Sequence, residues 1–161
     1  MVGNIPYYIT GALIRKYLTE KHQPARLVFL IQKEVAERIT MHGALSKNPK
    51  ESILSLSVQA YGKPVYVATV PRGAFVPPPK VDSAILAVHG VSRANFKNTK
   101  EEERFFALVK AGFGQKRKLL KKNLEAVLGK NAALAMEKAD IEPNARAEDV
   151  ALTKWLALTK N

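Results

Sequence analysis

Leu27-Val28-Phe29-Leu30-Ile31 is an unbroken apolar run in a chain of 161 residues. A run this short, branched and without alternation predicts a strand buried on both faces of an α/β sheet. Two more strands are expected downstream, Val65-Tyr66-Val67-Ala68-Thr69-Val70 and residues 81–89, joined by a proline-rich loop over 71–80. Helical spacing surrounds them. Thr10 is placed to cap a helix running to about His22, with Leu13, Ile14, Tyr17 and Leu18 on one face. A short helix is expected over 35–41, and another over 51–61, stopped by Gly62. Asn4-Ile5-Pro6-Tyr7-Tyr8 reads as a loop, because Pro6 disfavours helix at Ile5. Residues 1–90 therefore read as the latter part of an α/β sheet.

From about residue 91 the pattern becomes all helix. Thr99-Lys100-Glu101-Glu102 has capping-box spacing and leads into Phe105, Phe106, Leu108 and Val109. A helix over 116–128, ended by Gly129, would set Leu120, Leu124, Val127 and Leu128 on one face and Lys118 and Lys122 a turn apart on another. Shorter helices follow over 132–138 and 148–158, the last carrying Val150, Trp155 and Leu156. The expected organisation is an α/β portion over 1–90 and a small basic all-α domain over 91–161. The opening leaves hardly room for a strand before Asn4, and two or three strands leave sheet edges unpaired. The expectation is the C-terminal part of a larger enzyme, open to self-association through the truncated edge.

Composition narrows the function. Absence of cysteine removes disulfide scaffolds, thiolate metal sites and a cysteine nucleophile. His22, His42 and His89 are far apart, against a histidine-rich metal site. No apolar run approaches the roughly 20 residues of a membrane span, and the first residues lack a secretory signal's features, so a cytoplasmic location is expected. Lys and Arg total 26 against 14 Asp and Glu, a net charge of +12, which predicts attraction to a polyanion. The excess in the second half is concentrated: residues 110–130 hold seven basic side chains and one acid, Glu125. A solvated helix face is the plain account of that stretch, and a phosphate-contacting patch the functional one.

Two loops carry suggestive chemistry. In Asn4-Ile5-Pro6-Tyr7 an amide oxygen and a backbone carbonyl on a proline-stiffened loop can accept hydrogen bonds from an exocyclic amine. The adjacent aromatic can stack on a base drawn out of its helix. Phe75-Val76-Pro77-Pro78-Pro79-Lys80-Val81-Asp82-Ser83 is either a polyproline connector or a mount for Phe75 as a second stacking surface. Alone, the first of these is an ordinary turn. Three further stretches accompany them in order: Gln32-Lys33-Glu34-Val35-Ala36-Glu37-Arg38, Phe113-Gly114-Gln115-Lys116-Arg117-Lys118, and Ile141 through Glu148. With these five the chain resembles the ribosomal RNA adenine N6,N6-dimethyltransferases of the small subunit, from Gly3 nearly to its C-terminus.

That resemblance implies a Rossmann-like, S-adenosylmethionine-dependent methyltransferase with a helical C-terminal domain, acting on small-subunit ribosomal RNA. Asn4 would accept a hydrogen bond from the target N6 and border the methyl donor. Pro6 would stiffen the loop, and Tyr7 and Phe75 would stack on the flipped adenine. Lys116, Arg117, Lys118, Lys121 and Lys122 would meet RNA phosphates. The sequence departs from the family's pattern in lacking the Gly-rich strand-to-helix turn that binds most of the donor. Gly112-Phe113-Gly114 follows a helix and is not such a turn. The 161 residues alone are therefore expected to be inactive. Two other readings stay open: a related enzyme acting on large-subunit RNA or DNA adenine, and a non-catalytic RNA-binding or ribosome-assembly module. Glu34, Glu37 and Arg38 read as a solvated, paired helix face, His89 as a strand-end residue and Trp155 as core.

Overall fold

The structure, a computed structural model, describes residues 1–43, 47 and 50–160. They fall into two compact units, one within 1–49 and 54–92, the other within 50–53 and 93–161. The first is built on a four-stranded sheet. Its elements are β1 (Val2–Asn4), α1 (Thr10–Thr19), β2 (Arg26–Gln32), α2 (Lys33–Thr40), α3 (Ile53–Tyr61, from its second residue), β3 (Lys63–Val70) and β4 (Ser83–His89).

The strand order is β1-β2-β4-β3. Only β1 and β2 are parallel, with Asn4 opposite Leu30. β4 runs antiparallel to both β2 and β3, and its first residue, Ser83, pairs with Gln32 on one side and Val70 on the other. The ends of β1, β2 and β3 and the start of β4 thus meet at one end of the sheet. Leu27, Phe29 and Ile31 are fully buried, while Val28 and Leu30 are half-buried, so the apolar run of β2 has one sealed face rather than two.

Several local expectations are corrected. A three-residue strand does precede the Pro6 loop, because Val28 N–H bonds the Met1 carbonyl at 2.9 Å and draws the N-terminus into the ladder. Thr10 is the first residue of α1 rather than its cap; its hydroxyl bonds back to the Pro6 carbonyl, and the helix ends at Thr19. β3 begins two residues early, at Lys63-Pro64, which a proline permits because β3 is an edge strand. Gly62 is required where the chain turns from α3 into β3: a Cβ there would lie 2.8 Å from the His89 carbonyl oxygen.

The second unit contains α4 (Thr99–Gly112), α5 (Leu120–Leu128), α6 (Ala132–Lys138) and α7 (Leu152–Lys160). The capping box sits one residue earlier than its spacing suggested. Asn98 Oδ1 accepts from Glu101 N–H at 3.0 Å, and Glu101 Oε2 accepts from Lys97 N–H at 2.9 Å. α7 starts later than expected, after a separate 3-10 turn over Ala147–Asp149. Trp155, Phe105, Leu108, Leu120, Leu124 and Leu158 form the core. α4 approaches so closely that a Cβ on Gly112 would lie 2.4 Å from the Trp155 ring. Val127, expected on the apolar face of α5, is half exposed.

Candidate functional site

The sequence between β1 and α1 contains one proline and two aromatics, and its geometry follows from them. Ile5 is buried, and its N–H extends the ladder to the Leu30 carbonyl at 3.2 Å. Pro6 then turns the chain into a 3-10 turn over Tyr7–Ile9, its carbonyl accepting from Ile9 N–H at 3.1 Å. This leaves the Asn4 side chain exposed at the carboxyl end of a parallel strand, where open α/β sheets hold their ligands.

On the other side, a 3-10 turn over Arg72–Ala74 delivers Phe75, whose N–H bonds the Arg72 carbonyl at 3.3 Å. Asp82 closes the loop by accepting from Arg72 N–H at 3.0 Å. The two loops face one hollow of about 330 Å³, lined by Asn4, Ile5, Pro6, Tyr7, Phe75, Pro77, Pro79 and Ser83. All four pocket residues singled out from sequence, Asn4, Pro6, Tyr7 and Phe75, are therefore brought together across some 70 residues of chain.

Among the described residues, no charged side chain lines this hollow. Its polar groups are the Asn4 amide and the hydroxyls of Tyr7 and Ser83, which hydrogen-bond each other at 2.8 Å. Ser83 is 1% exposed, so this bond anchors the Tyr7 ring to the first residue of β4. Such an arrangement can hold a flat apolar ring between aromatic and proline surfaces and accept a hydrogen bond from a group on its edge. It offers no carboxylate or imidazole as a base. Ser83 lay inside a motif read from sequence, but nothing in the spacing revealed its pairing with Tyr7. Tyr8 is 89% exposed and outside the lining.

The basic residues of the second unit are arranged differently from the continuous helix expected over 116–128. Lys116, Arg117 and Lys118 lie in an exposed turn between α4 and α5, and only Lys121 and Lys122 are helical. The helix starts late because Asn123, 7% exposed, donates from Nδ2 to the Gly112 carbonyl at 2.6 Å and the Gln115 carbonyl at 3.1 Å. Those bonds hold the turn against the helix. Lys118 and Lys122 are thus not a turn apart on one helix, and Lys122 pairs with Glu125 at 3.2 Å. Among the described residues, no helix is long and apolar enough to cross a membrane, and no cluster of three or more His, Asp or Glu is placed to hold a metal.

Comparison with known proteins agrees with the motifs. The model of the ribosomal RNA adenine dimethylase family matches residues 1–161. A ribosomal RNA small subunit methyltransferase A of Dehalococcoides mccartyi is 41% identical over 161 residues, covering 98% of this chain and 53% of the relative. Its counterpart in Trichormus variabilis is 40% identical, with 98% and 59% covered. The chain thus spans little more than half the length of these curated relatives. Among solved structures, a dimethyladenosine transferase from Plasmodium falciparum superposes with a TM-score of 0.79 at 27% identity, over 98% of this chain and 64% of that one. The 23S rRNA methyltransferase ErmE superposes with a TM-score of 0.74 at 24% identity, over 99% and 63%, a likeness of fold alone.

Proposed function

The chain belongs to the ribosomal RNA adenine dimethylase family, and from that premise we propose that it holds the target adenine and the RNA for transfer of methyl groups to N6 of adjacent adenines in small-subunit ribosomal RNA. The observation that carries this reading is the uncharged pocket between Asn4, Tyr7 and Phe75. S-adenosylmethionine would supply an electrophilic methyl group, and Asn4 would border it; the exposure of that side chain at the carboxyl end of β1 supports this role. The only G-x-G, Gly112 to Gly114, closes α4 and does not follow a strand.

The adenine stacks between Tyr7 and Phe75, each contact contributing about 1–3 kcal/mol. Its amino group donates to Asn4 Oδ1. The Pro6 carbonyl is occupied by Ile9 N–H and the Thr10 hydroxyl, which leaves the Ile5 carbonyl as the backbone acceptor. Two acceptors on its N–H groups orient the nitrogen lone pair toward the incoming methyl group and stabilise the positive charge that develops on N6. No base need act before transfer, since positioning lowers the barrier. The cations Lys116, Arg117, Lys118, Lys121 and Lys122 contact phosphates and make binding salt-dependent without reading sequence. We propose further that these 161 residues alone transfer no methyl group.

The test is incorporation of labelled methyl into unmethylated small ribosomal subunits, by the 161-residue chain and by a fusion in which this segment replaces the matching part of a full-length relative. The reading expects incorporation by the fusion, none by the 161 residues, and a fall of roughly 10²–10³-fold in the fusion carrying Asn4→Ala although RNA still binds. Full activity of Asn4→Ala would overturn it.

A further inference from the structure

The motif Gln32-Lys33-Glu34-Val35-Ala36-Glu37-Arg38 has no part in the pocket, and neither has the Lys80-Val81-Asp82 end of the proline loop. The structure brings both to one place. Gln32, Lys33, Glu34 and Glu37 line a second hollow of about 510 Å³ together with Arg72, Lys80, Val81 and Asp82. We propose that this hollow is a second RNA subsite, one that receives the phosphodiester adjoining the flipped adenine. The inference rests on the reading of the first pocket as the adenine site.

Adjacency is set by the sheet. Gln32 of the second hollow and Ser83 of the first are directly paired across β2 and β4. Paired residues in an antiparallel ladder lie about 5 Å apart at Cα. A base held against Ser83 and Tyr7 therefore carries its sugar and phosphate to the rim on which Lys33 and Lys80 stand.

Charge decides what that rim accepts. Lys33, Arg72 and Lys80 face Glu34, Glu37 and Asp82, so the lining as such is balanced. Two of the carboxylates are engaged elsewhere. Glu34 pairs with Arg38 at 2.6 Å, which brings a fourth cation to the edge. Asp82 Oδ1 accepts Arg72 N–H at 3.0 Å, while its carbonyl accepts Lys33 N–H at 3.0 Å. The same aspartate thus ties the loop bearing Phe75 to the start of α2. Among the described residues, none of the ion pairs involves the side chains of Lys33, Arg72 or Lys80. A single phosphate fits four cations held against three carboxylates; a long polyanion track would call for a larger excess of cations.

The experiment measures the salt dependence of binding of this chain to a hairpin from the 3′ end of small-subunit RNA carrying the adjacent adenines. Each phosphate contact on a single strand contributes about 0.7 to the slope of log affinity against log salt. Lys33→Ala/Lys80→Ala should lower the slope by about 0.7, the contribution of one phosphate, and Lys80→Ala, at an exposed side chain, by less. A neutral methylphosphonate next to the target adenine should weaken the wild-type chain and leave the double variant unaffected. An unchanged slope in the double variant, with wild-type binding intact, overturns the subsite alone. If Tyr7→Ala and Phe75→Ala bind the hairpin as the wild type does, the adenine pocket itself is wrong and the subsite falls with it.

Discussion

The neutral pocket and the basic turn are built on opposite principles. The pocket is made of strand ends and proline-bearing loops, carries no charge, and is pinned by a hydroxyl pair whose inner member is buried. The turn over Lys116, Arg117 and Lys118 is wholly exposed and owes its shape to one buried amide, Asn123. A shape-selective site needs rigidity and loses little by being uncharged. A phosphate-binding site needs charge in water, where side chains can adjust to an irregular backbone. On this view the first region stacks the base and places it for chemistry, whereas the second contributes affinity alone, so loss of a positioning group in the first and loss of charge in the second should show in different measurements.

The most severe test of that division is Asn4→Ala in the fusion of this segment with the rest of a relative. Methyl transfer should fall by roughly 10²–10³-fold, the usual cost of removing one positioned polar group that stabilises developing charge. RNA affinity, measured on the same preparation, should stay within about twofold. A parallel fall in both would merge the two regions into one function.

Asn123→Ala tests the other side. It strips the buried Gly112 carbonyl of its donor, at a cost of about 1–3 kcal/mol, while the Gln115 carbonyl keeps Lys118 N–H at 3.1 Å. Thermal melting should show the loss. RNA affinity and its salt slope should both fall as the turn loosens, while the rate at saturating RNA should hold. A milder effect is expected for Ser83→Ala: Tyr7 keeps its ring but loses its anchor, so the rate should drop about tenfold or less with the salt slope untouched. If Ser83→Ala weakened binding as much as Asn123→Ala, the Tyr7–Ser83 bond would have to be counted as holding the base rather than as aligning it.

The pocket was more legible in sequence than the turn, for a physical reason. Proline and aromatic residues constrain their own backbone, so Asn4-Ile5-Pro6-Tyr7 and the Phe75 loop could be read locally, and only their meeting required the sheet. Even the short strand before Asn4 was hidden, because it exists through bonds such as Val28 N–H to Met1 rather than through propensity. In the turn, Lys116 to Lys118 are good helix formers, and their spacing favoured a helix from 116. What overrides that preference is a side chain five residues beyond Lys118 that bonds carbonyls behind it, a contact no periodicity records. Ser83 was hidden in the same way, since its partner is 76 residues away.

Within the second unit, the exposed cations of the turn contrast with one already spent on the fold. Lys50 bonds Asp149 and lies 3.5 Å from Glu148, whose carbonyl accepts Glu51 N–H at 2.8 Å. The hydrogen bond to Asp149 chiefly raises the ammonium pKa above its ordinary 10.5, with the charges of Asp149 and Glu148 adding and desolvation opposing. Because the folded value is the higher one, the stabilisation is complete below about pH 10.5 and is lost as pH rises through the folded value. Melts of the wild type and Lys50→Met should therefore differ by a small constant amount from pH 7 to 10 and converge above it, and high salt should narrow the gap at any pH. RNA affinity at pH 7 to 8 should be equal in the two proteins, whereas Lys118→Met should reduce it and leave the melt unchanged. A gap that widened above pH 10.5 would mean that the lysine is not held by its carboxylates. A loss of RNA binding in Lys50→Met would show that a paired cation reaches the RNA as well as the unpaired ones do.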